Sequence, residues 1–223
     1  EKLKTLEVGA KSELMQNRVR LNGALFFSRY ENQQTFAQQF DDNTPPENWF
    51  REINAGRSRI WGVEAELQAE PIDNFRIDGS MGYVNYTLVD NEGNELLFEG
   101  SDPRCGGGKC YSPRTPKFTG GLGLQYAFGS AGGASITPRL DLVYQSKIYF
   151  STNNQGVQDA YTLVNGRVSW DSSDRDWQIS IYGRNLTDEE YFNGKLSLIG
   201  FFGREQGNVG MPREYGITFQ RNF

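Results

Sequence analysis

Histidine is absent from the 223-residue sequence, and this absence narrows the chemistry that the chain can perform. Histidine is the commonest general base, and no Gly-x-Ser-x-Gly elbow is present, so hydrolysis of the lipase or protease type is not expected. Two cysteines without a histidine fall short of the four ligands of a structural zinc site. We therefore expect no enzyme activity, no resident cofactor and no structural metal.

Long apolar runs are also lacking. The longest are four residues, such as Ala24 to Phe27, whereas a membrane-spanning helix needs roughly 20. The net charge is -5 and the basic residues are spread along the chain, so nucleic-acid binding is not expected. The chain opens in a strand-like stretch with no secretory signal, which indicates that it is a portion of a longer protein.

Alternation with a period of two is the dominant pattern that the sequence does have. From Trp61 to Ala69 the odd positions are apolar, and from Gly62 to Glu70 the even positions are polar or small. A strand with one apolar face and one wet face produces this pattern. It predicts nine strands, at about 3–14, 18–37, 54–70, 75–88, 116–128, 135–150, 160–171, 176–187 and 213–223.

The connections between these segments alternate in length. Short ones lie around 16–17, 72–74, 129–133 and 172–175, and long ones at about 38–53, 89–115, 151–159 and 188–212. Short periplasmic turns and long external loops are the rule for outer-membrane barrels, so the C-terminus is expected in the periplasm. Bacterial barrels have even strand numbers, so nine strands should not close alone.

Aromatic residues concentrate at the predicted strand ends, as two interfacial belts require. One belt is expected beside the short turns and the other toward the long loops. The first comprises Phe75, Tyr126, Phe128, Trp170 and Trp177, and the second Tyr144, Tyr149 and Phe150.

Two motifs stand near the end of the chain. One runs from Trp177 to Tyr191 and contains Asn-Leu-Thr-Asp at 185–188; the other runs from Gly210 to Phe223 and enters through Pro-Arg. Together they resemble the penultimate and last strands of TonB-dependent receptors. Asn185 and Asp188 have a local role as well, because such side chains hydrogen-bond their own backbone where a strand turns into a loop.

The resemblance implies an all-β fold, an antiparallel transmembrane β-barrel of which residues 1–223 form about nine C-terminal strands. The whole barrel would have roughly 22 strands and a plug domain. The implied function is import of a scarce nutrient, such as a ferric siderophore, across the bacterial outer membrane with energy from the TonB complex. The implied partners are outer-membrane lipid, the protein's own plug and upstream strands, the TonB complex and the barrel-assembly machinery, for which Phe223 is an assembly signal. Phe223 also fits a plain lipid-facing strand.

Several loop and wall residues are candidates for specific roles. Cys105 and Cys110 are expected to form a small disulfide, with free thiols or a metal as the alternatives. Loop aromatics are the candidates for facing the substrate, with packing within the loops as the alternative: Trp49, Phe50, Tyr111, Phe201 and Phe202. Inward charges are expected to pair with one another or with a plug, with substrate contact as the alternative: Glu64, Glu66, Arg76, Asp78, Arg139, Asp141, Arg167 and Arg184.

Two other functional classes remain open at this stage. A passive diffusion channel would share the alternating wall but would have an open lumen with a loop constriction. A soluble β-sandwich used for binding or adhesion would fold in plain buffer without detergent. The transported substrate is not evident from these residues.

Overall fold

A computed structural model describes residues 1–40, 48–89, 111–130, 132–150, 156–198 and 203–222. Every regular element in these ranges is a strand, and none of their residues belongs to a helix long and apolar enough to cross a membrane. The strands are β1 (Lys2–Leu14), β2 (Val19–Phe40), β3 (Asn48–Ile72), β4 (Phe75–Val89), β5 (Phe118–Tyr126), β6 (Phe128–Gly129), β7 (Ser135–Gln145), β8 (Ile148–Tyr149), β9 (Val157–Gln158), β10 (Tyr161–Asp171), β11 (Trp177–Arg184), β12 (Phe192–Leu198), β13 (Arg204–Val209) and β14 (Glu214–Arg221).

Nine long strands form one antiparallel sheet, which confirms the nine predicted segments. Their spatial order is β1-β2-β3-β4-β5-β7-β10-β11-β14, and β6 adds a short pairing to β7. Each strand therefore lies beside its neighbour in the chain, apart from the short hairpins in the connections. In the described part of the chain, β1 and β14 are the two edges of this sheet.

Cross-strand register sorts the side chains onto two faces. Leu25 lies opposite both Val8 on β1 and Val63 on β3, and all three share the outward face. Leu25 is 56% exposed although it is apolar, and the same face carries many large apolar side chains that are similarly exposed. Such an extended apolar surface is typical of the outer wall of a membrane barrel, and we call the opposite, more polar face the lumen face.

The short connections are true turns, as predicted. Met15, Gln16 and Asn17 between β1 and β2 all have positive φ, as does Asn74 between β3 and β4. In the turn between β10 and β11, a hydrogen bond from the Ser172 hydroxyl, together with the backbone N–H of Asp176, lowers the pKa of the Asp174 carboxyl. Asparagine and aspartate tolerate or stabilise these conformations, which explains why such residues recur in the turns.

Three segment boundaries differ from the prediction. Strands β2 and β3 continue as a paired hairpin through 33–40 and 48–56, although 38–53 was predicted to be a long loop. The segment 135–150 divides, because β8 leaves the main sheet and pairs with β9. The predicted long connection 188–212 contains the hairpin β12–β13.

Aromatic side chains form two clusters on the outward face, one near each end of the strands. Beside the short turns, the centroid of the Tyr126 ring lies 6.3 Å from that of Phe75 and 4.5 Å from that of Phe128. Trp170 and Trp177, which flank the short turn between β10 and β11, are also exposed. Toward the long connections, Trp61 pairs with Tyr83 at 5.3 Å and Phe118 with Tyr144 at 5.8 Å.

The belt toward the long connections, called the upper belt below, was predicted to include Tyr149 and Phe150. These two residues do not lie in it. Tyr149 stacks on Tyr111, and Phe150 is buried beside the β8–β9 hairpin. The nine residues of β5 from Phe118 to Tyr126 separate the two belts, close to the roughly 9–11 residues that a membrane-spanning strand needs.

Replacing Leu25 by arginine tests the assignment of the two faces. In the intact protein reconstituted into lipid vesicles, Leu25→Arg is expected to lower the free energy of unfolding by about 2–4 kcal/mol, because a charge on the lipid face is costly. The matched control is Gln68→Arg on the lumen face of β3, opposite Asp78. Equal losses in the two variants, measured by denaturant titration, would contradict the assignment.

Candidate functional site

A chain of alternating charges crosses the lumen face from β4 to β7. On β4, the Arg76 Nε donates to Asp78 Oδ1 at 3.0 Å. From β7, Arg139 donates through Nη1 to Asp78 Oδ2 at 2.9 Å and through Nη2 to Asp141 Oδ1 at 2.7 Å. Two arginines and two aspartates therefore neutralise one another within the wall, one of the two outcomes predicted for these inward charges.

Gly123 makes this arrangement possible. It lies on β5 between Asp78 of β4 and Asp141 of β7 in the register. A Cβ at position 123 would come within 2.3 Å of Arg139 Nη2 and 2.8 Å of Asp141 Oδ1. The guanidinium group crosses β5 in the space that a side chain would fill, a role for Gly123 that the alternation pattern did not indicate.

A second polar cluster joins β10 to β11 on the same face. Ser180 is almost fully buried, and its hydroxyl accepts a hydrogen bond from Arg167 Nη2 at 2.8 Å. The Ser169 and Ser180 hydroxyl oxygens are 2.9 Å apart. Further along β11, Arg184 pairs with Glu214 of β14 at 2.8 Å. Arg167 is thus held by hydroxyls and Arg184 by a carboxylate.

The lumen wall keeps exposed carboxylates on β3. Glu64 and Glu66 are exposed, and their one side-chain hydrogen bond among the described residues is the donation from Asn22 Nδ2 to Glu66 Oε2 at 3.5 Å. With Glu7 and Lys11 of β1 they line a shallow recess on this face. These groups, in contrast to Asp78 and Asp141, remain available to another surface inside the barrel.

Asn185 ties three parts of the chain together where β11 ends. Its backbone N–H donates to Asn165 Oδ1 of β10 at 2.9 Å, and its side-chain Oδ1 accepts from the Glu189 N–H at 2.8 Å. Its Nδ2 donates to the carbonyls of Glu189 and Met211. Asn185 is 4% exposed with a φ of 48°, so the predicted backbone bonding of this side chain is confirmed.

Asp188 connects the same motif to the last strand. Asp188 Oδ1 accepts from the Arg213 N–H at 3.2 Å, and its Oδ2 lies 3.4 Å from Arg213 Nη2. Tyr191 then stacks on Tyr161 with ring centroids 4.9 Å apart. The motif at 185–191 therefore fixes the approach to β14, and in this structure its groups bond to the protein itself.

Near β8, at the end of the strands that carries the long connections, two stacked tyrosines lie beside two lysines. We call them the Tyr111–Tyr149 group. The rings of Tyr111 and Tyr149 are stacked, with centroids 5.0 Å apart and an interplanar angle of 8°. Lys117 Nζ lies 5.5 Å from the Tyr111 centroid and Lys147 Nζ lies 5.3 Å from the Tyr149 centroid. Both rings are half-buried, and Tyr111 is the one predicted loop aromatic whose side-chain packing the described residues include.

Two long connections are interlocked beside this group. The buried Gln158 of β9 accepts the backbone N–H of Phe192 at 2.7 Å through Oε1. Lys195 of β12 donates to the Val157 carbonyl at 2.8 Å, and its Nζ also lies 4.0 Å from the Phe192 centroid. Hairpins β8–β9 and β12–β13 therefore form one unit, which their separate positions in the sequence did not suggest.

The other predicted site residues are only partly placed. Trp49 and Phe50 lie in β3, where they pair in register with Gln39 and Gln38 of β2. The remaining candidates lie outside the described residues: Cys105, Cys110, Phe201, Phe202 and Phe223. Among the described residues, no group of three or more potential metal ligands occurs.

Replacing Gly123 by alanine tests the arginine crossing. The new methyl group would displace Arg139 from its two carboxylates, so Gly123→Ala is expected to lower the free energy of unfolding by about 1–3 kcal/mol. Gly129→Ala is the control, because nothing lies within 4 Å of a Cβ at that position. Thermal or denaturant unfolding of the intact protein measures both, and an unchanged Gly123→Ala variant would show that the crossing contributes little.

Most of the chain is similar in sequence to a curated receptor. The curated "Probable TonB-dependent siderophore receptor PiuA" of Acinetobacter baumannii is 27% identical over 206 residues, which cover 86% of this chain and 24% of PiuA. The chain thus spans about a quarter of the length of this relative.

Solved structures share the fold. The ferric yersiniabactin uptake receptor FyuA from Yersinia pestis superposes with a TM-score of 0.74 and 19% identity, over 99% of this chain and 30% of FyuA. The siderophore receptor PiuA from Acinetobacter baumannii superposes with a TM-score of 0.67 and 20% identity, over 96% of this chain and 27% of PiuA.

The family match covers most of the chain. The model of the TonB dependent receptor-like β-barrel matches residues 1–186, which include β1 to β11. The match ends within the first of the two motifs noted above, whereas the FyuA superposition extends over 99% of the chain. The antiparallel sheet, its sorted faces and this match lead to one conclusion: the chain belongs to the TonB-dependent receptor β-barrel family.

Proposed function

We propose that this chain forms part of the barrel wall of an outer-membrane receptor that imports a ferric siderophore with energy from the TonB complex. The proposal is carried by family membership together with the two faces of the sheet, an apolar outward face and a charged lumen face. PiuA is named as a siderophore receptor, and FyuA is named as a ferric yersiniabactin uptake receptor. They are receptors and not enzymes by these names.

The lumen wall carries two groups of charges. One group is neutralised within the wall, and the other is left exposed on it. Asp78 and Asp141 are satisfied within the wall, whereas Glu64 and Glu66 of β3 remain exposed on it. A plug domain with complementary cations would pair with these two carboxylates, and we propose the protein's own plug as their partner.

The Tyr111–Tyr149 group supports capture of cargo at the external end. Aromatic rings supply rigid contact area, and the two lysines beside them supply positive charge for an anionic ligand. We propose this group as one capture surface, with the loop aromatics Trp49, Phe50, Phe201 and Phe202 as further candidates. A disulfide between Cys105 and Cys110 would constrain the loop that precedes Tyr111.

The remaining partners follow from the same proposal. Outer-membrane lipid would cover the outward face, and the barrel-assembly machinery would recognise the end of the chain at Phe223. A soluble β-sandwich is disfavoured, because Leu6, Val8 and Ile217 are each more than half exposed on the face that a sandwich would bury.

Uptake of radiolabelled iron tests the import function. Cells that express the intact receptor as their sole siderophore receptor are expected to accumulate iron from a panel of ferric siderophores, and deletion of the TonB gene is expected to abolish accumulation. The reason is that a plugged barrel does not pass its cargo without energy input. Accumulation that persists without TonB and rises linearly with concentration would support the passive channel instead.

Substitution of Tyr111 tests the capture surface in a binding assay on intact cells. Tyr111→Ala removes one ring of the stack and is expected to weaken binding of the transported ferric siderophore by about two- to tenfold, in line with the roughly 0.5–1.5 kcal/mol of an aromatic contact. Phe128→Ala, an exposed aromatic beside a short turn, is the control and should leave affinity unchanged. Equal affinity in both variants would place the capture surface elsewhere.

A further inference from the structure

A row of three cations crosses the outward face of β1, β2 and β3. Lys4 lies directly opposite Arg29, and Arg29 lies directly opposite Arg59. The row ends at Thr87 on β4, which lies opposite Arg59. The three basic side chains are exposed, and they occupy the same face as Leu6, Phe27 and Trp61, which lie two positions nearer the membrane.

In the described part of the chain, these three cations have no acidic partner. Among the described residues, no carboxylate lies within salt-bridge distance of Lys4, Arg29 or Arg59, and Glu31 on the same face stands opposite Lys2. Arginines on the lumen face differ, because a carboxylate holds each of the following: Arg20, Arg76, Arg139 and Arg184. Like charges directly opposite one another on neighbouring strands destabilise a sheet. An external anion bound between these cations would remove the repulsion.

The position of the row indicates which anion is available. Two residues along a strand correspond to about 6.6 Å, so Arg29 and Arg59 lie just beyond the upper aromatic belt, where lipid headgroups begin. Adjacent strands are about 4.8 Å apart, a spacing at which two guanidinium groups can share one phosphate through paired N–H donors. Long basic side chains also reach readily toward this interface.

We propose that Lys4, Arg29 and Arg59 form a binding site for the phosphate groups of lipopolysaccharide in the outer leaflet of the outer membrane. This inference rests on the proposed outer-membrane location, which puts the long-connection end of the strands outside the cell. The acyl chains of the lipid would pack against Leu6, Phe27 and Trp61, and its phosphates would bridge the cations above them.

Binding of purified lipid A to the intact receptor in detergent tests the site. The test variant is Arg29→Gln/Arg59→Gln, and the control is Arg18→Gln/Arg175→Gln, which makes the same charge change beside the short turns. Native mass spectrometry with bisphosphorylated lipid A is expected to show at least tenfold weaker binding for the test variant and no change for the control. Arg29→Lys/Arg59→Lys, which keeps the charge, should recover part of the affinity. Heat-modifiable migration on gels verifies that each variant is folded.

Two competitors separate the possible sources of the anion. Phosphatidylglycerol should bind more weakly than lipid A, and millimolar inorganic phosphate should not displace lipid A. Equal lipid A binding by the wild type and the test variant would overturn the proposal, and so would equal affinity for phosphatidylglycerol or full displacement by inorganic phosphate. Because this assay measures no transport, a receptor that binds lipid A but shows TonB-independent uptake would refute the import function alone.

Discussion

Hydrogen bonds between neighbouring strands are the interaction on which the rest of this structure depends. A bilayer offers the backbone no alternative partner, so each strand must pair with the next along its whole membrane-spanning length. Once the nine long strands are paired in this way, register decides on which face each side chain lies. Leu25 lies on the outward face together with Val8 and Val63, and Asp78 meets Arg139 because Gly123 leaves space between them.

The two faces solve the problem of charge differently. On the lumen face, arginine and aspartate neutralise one another across β4, β5 and β7, and glycine at position 123 provides the space for the crossing. On the outward face, Lys4, Arg29 and Arg59 stand together at the edge of the apolar band. A charged side chain on a one-layer wall can be balanced in two ways, by a neighbouring strand or by a molecule outside the wall. Residues of the first kind hold the wall together, and those of the second kind can bind other molecules.

Sequence reasoning predicted the nine strands, because a lipid face imposes a period of two that is visible over eight or more residues. It failed where that requirement ends. Residues 38–40 read Gln-Gln-Phe and residues 48–53 read Asn-Trp-Phe-Arg-Glu-Ile, with no consistent apolar face, yet both lie in the paired strands β2 and β3. The contact between Gln158 and Phe192 joins residues far apart in the chain, and Gly123 acts through the space it leaves empty; neither effect produces a local pattern. The backbone role of Asn185 was predictable, since its chemistry is local.

The interlocking of β8–β9 with β12–β13 has a consequence for how such a receptor can diversify. The Phe192 N–H donates to the side-chain amide oxygen of Gln158, and the Lys195 ammonium donates to the carbonyl of Val157. The conformations of the two connections are therefore coupled. A change of sequence in one hairpin would have to be matched in the second. New specificities at this end of the barrel would therefore arise by paired replacement of both hairpins, as a module, and seldom by drift of one alone.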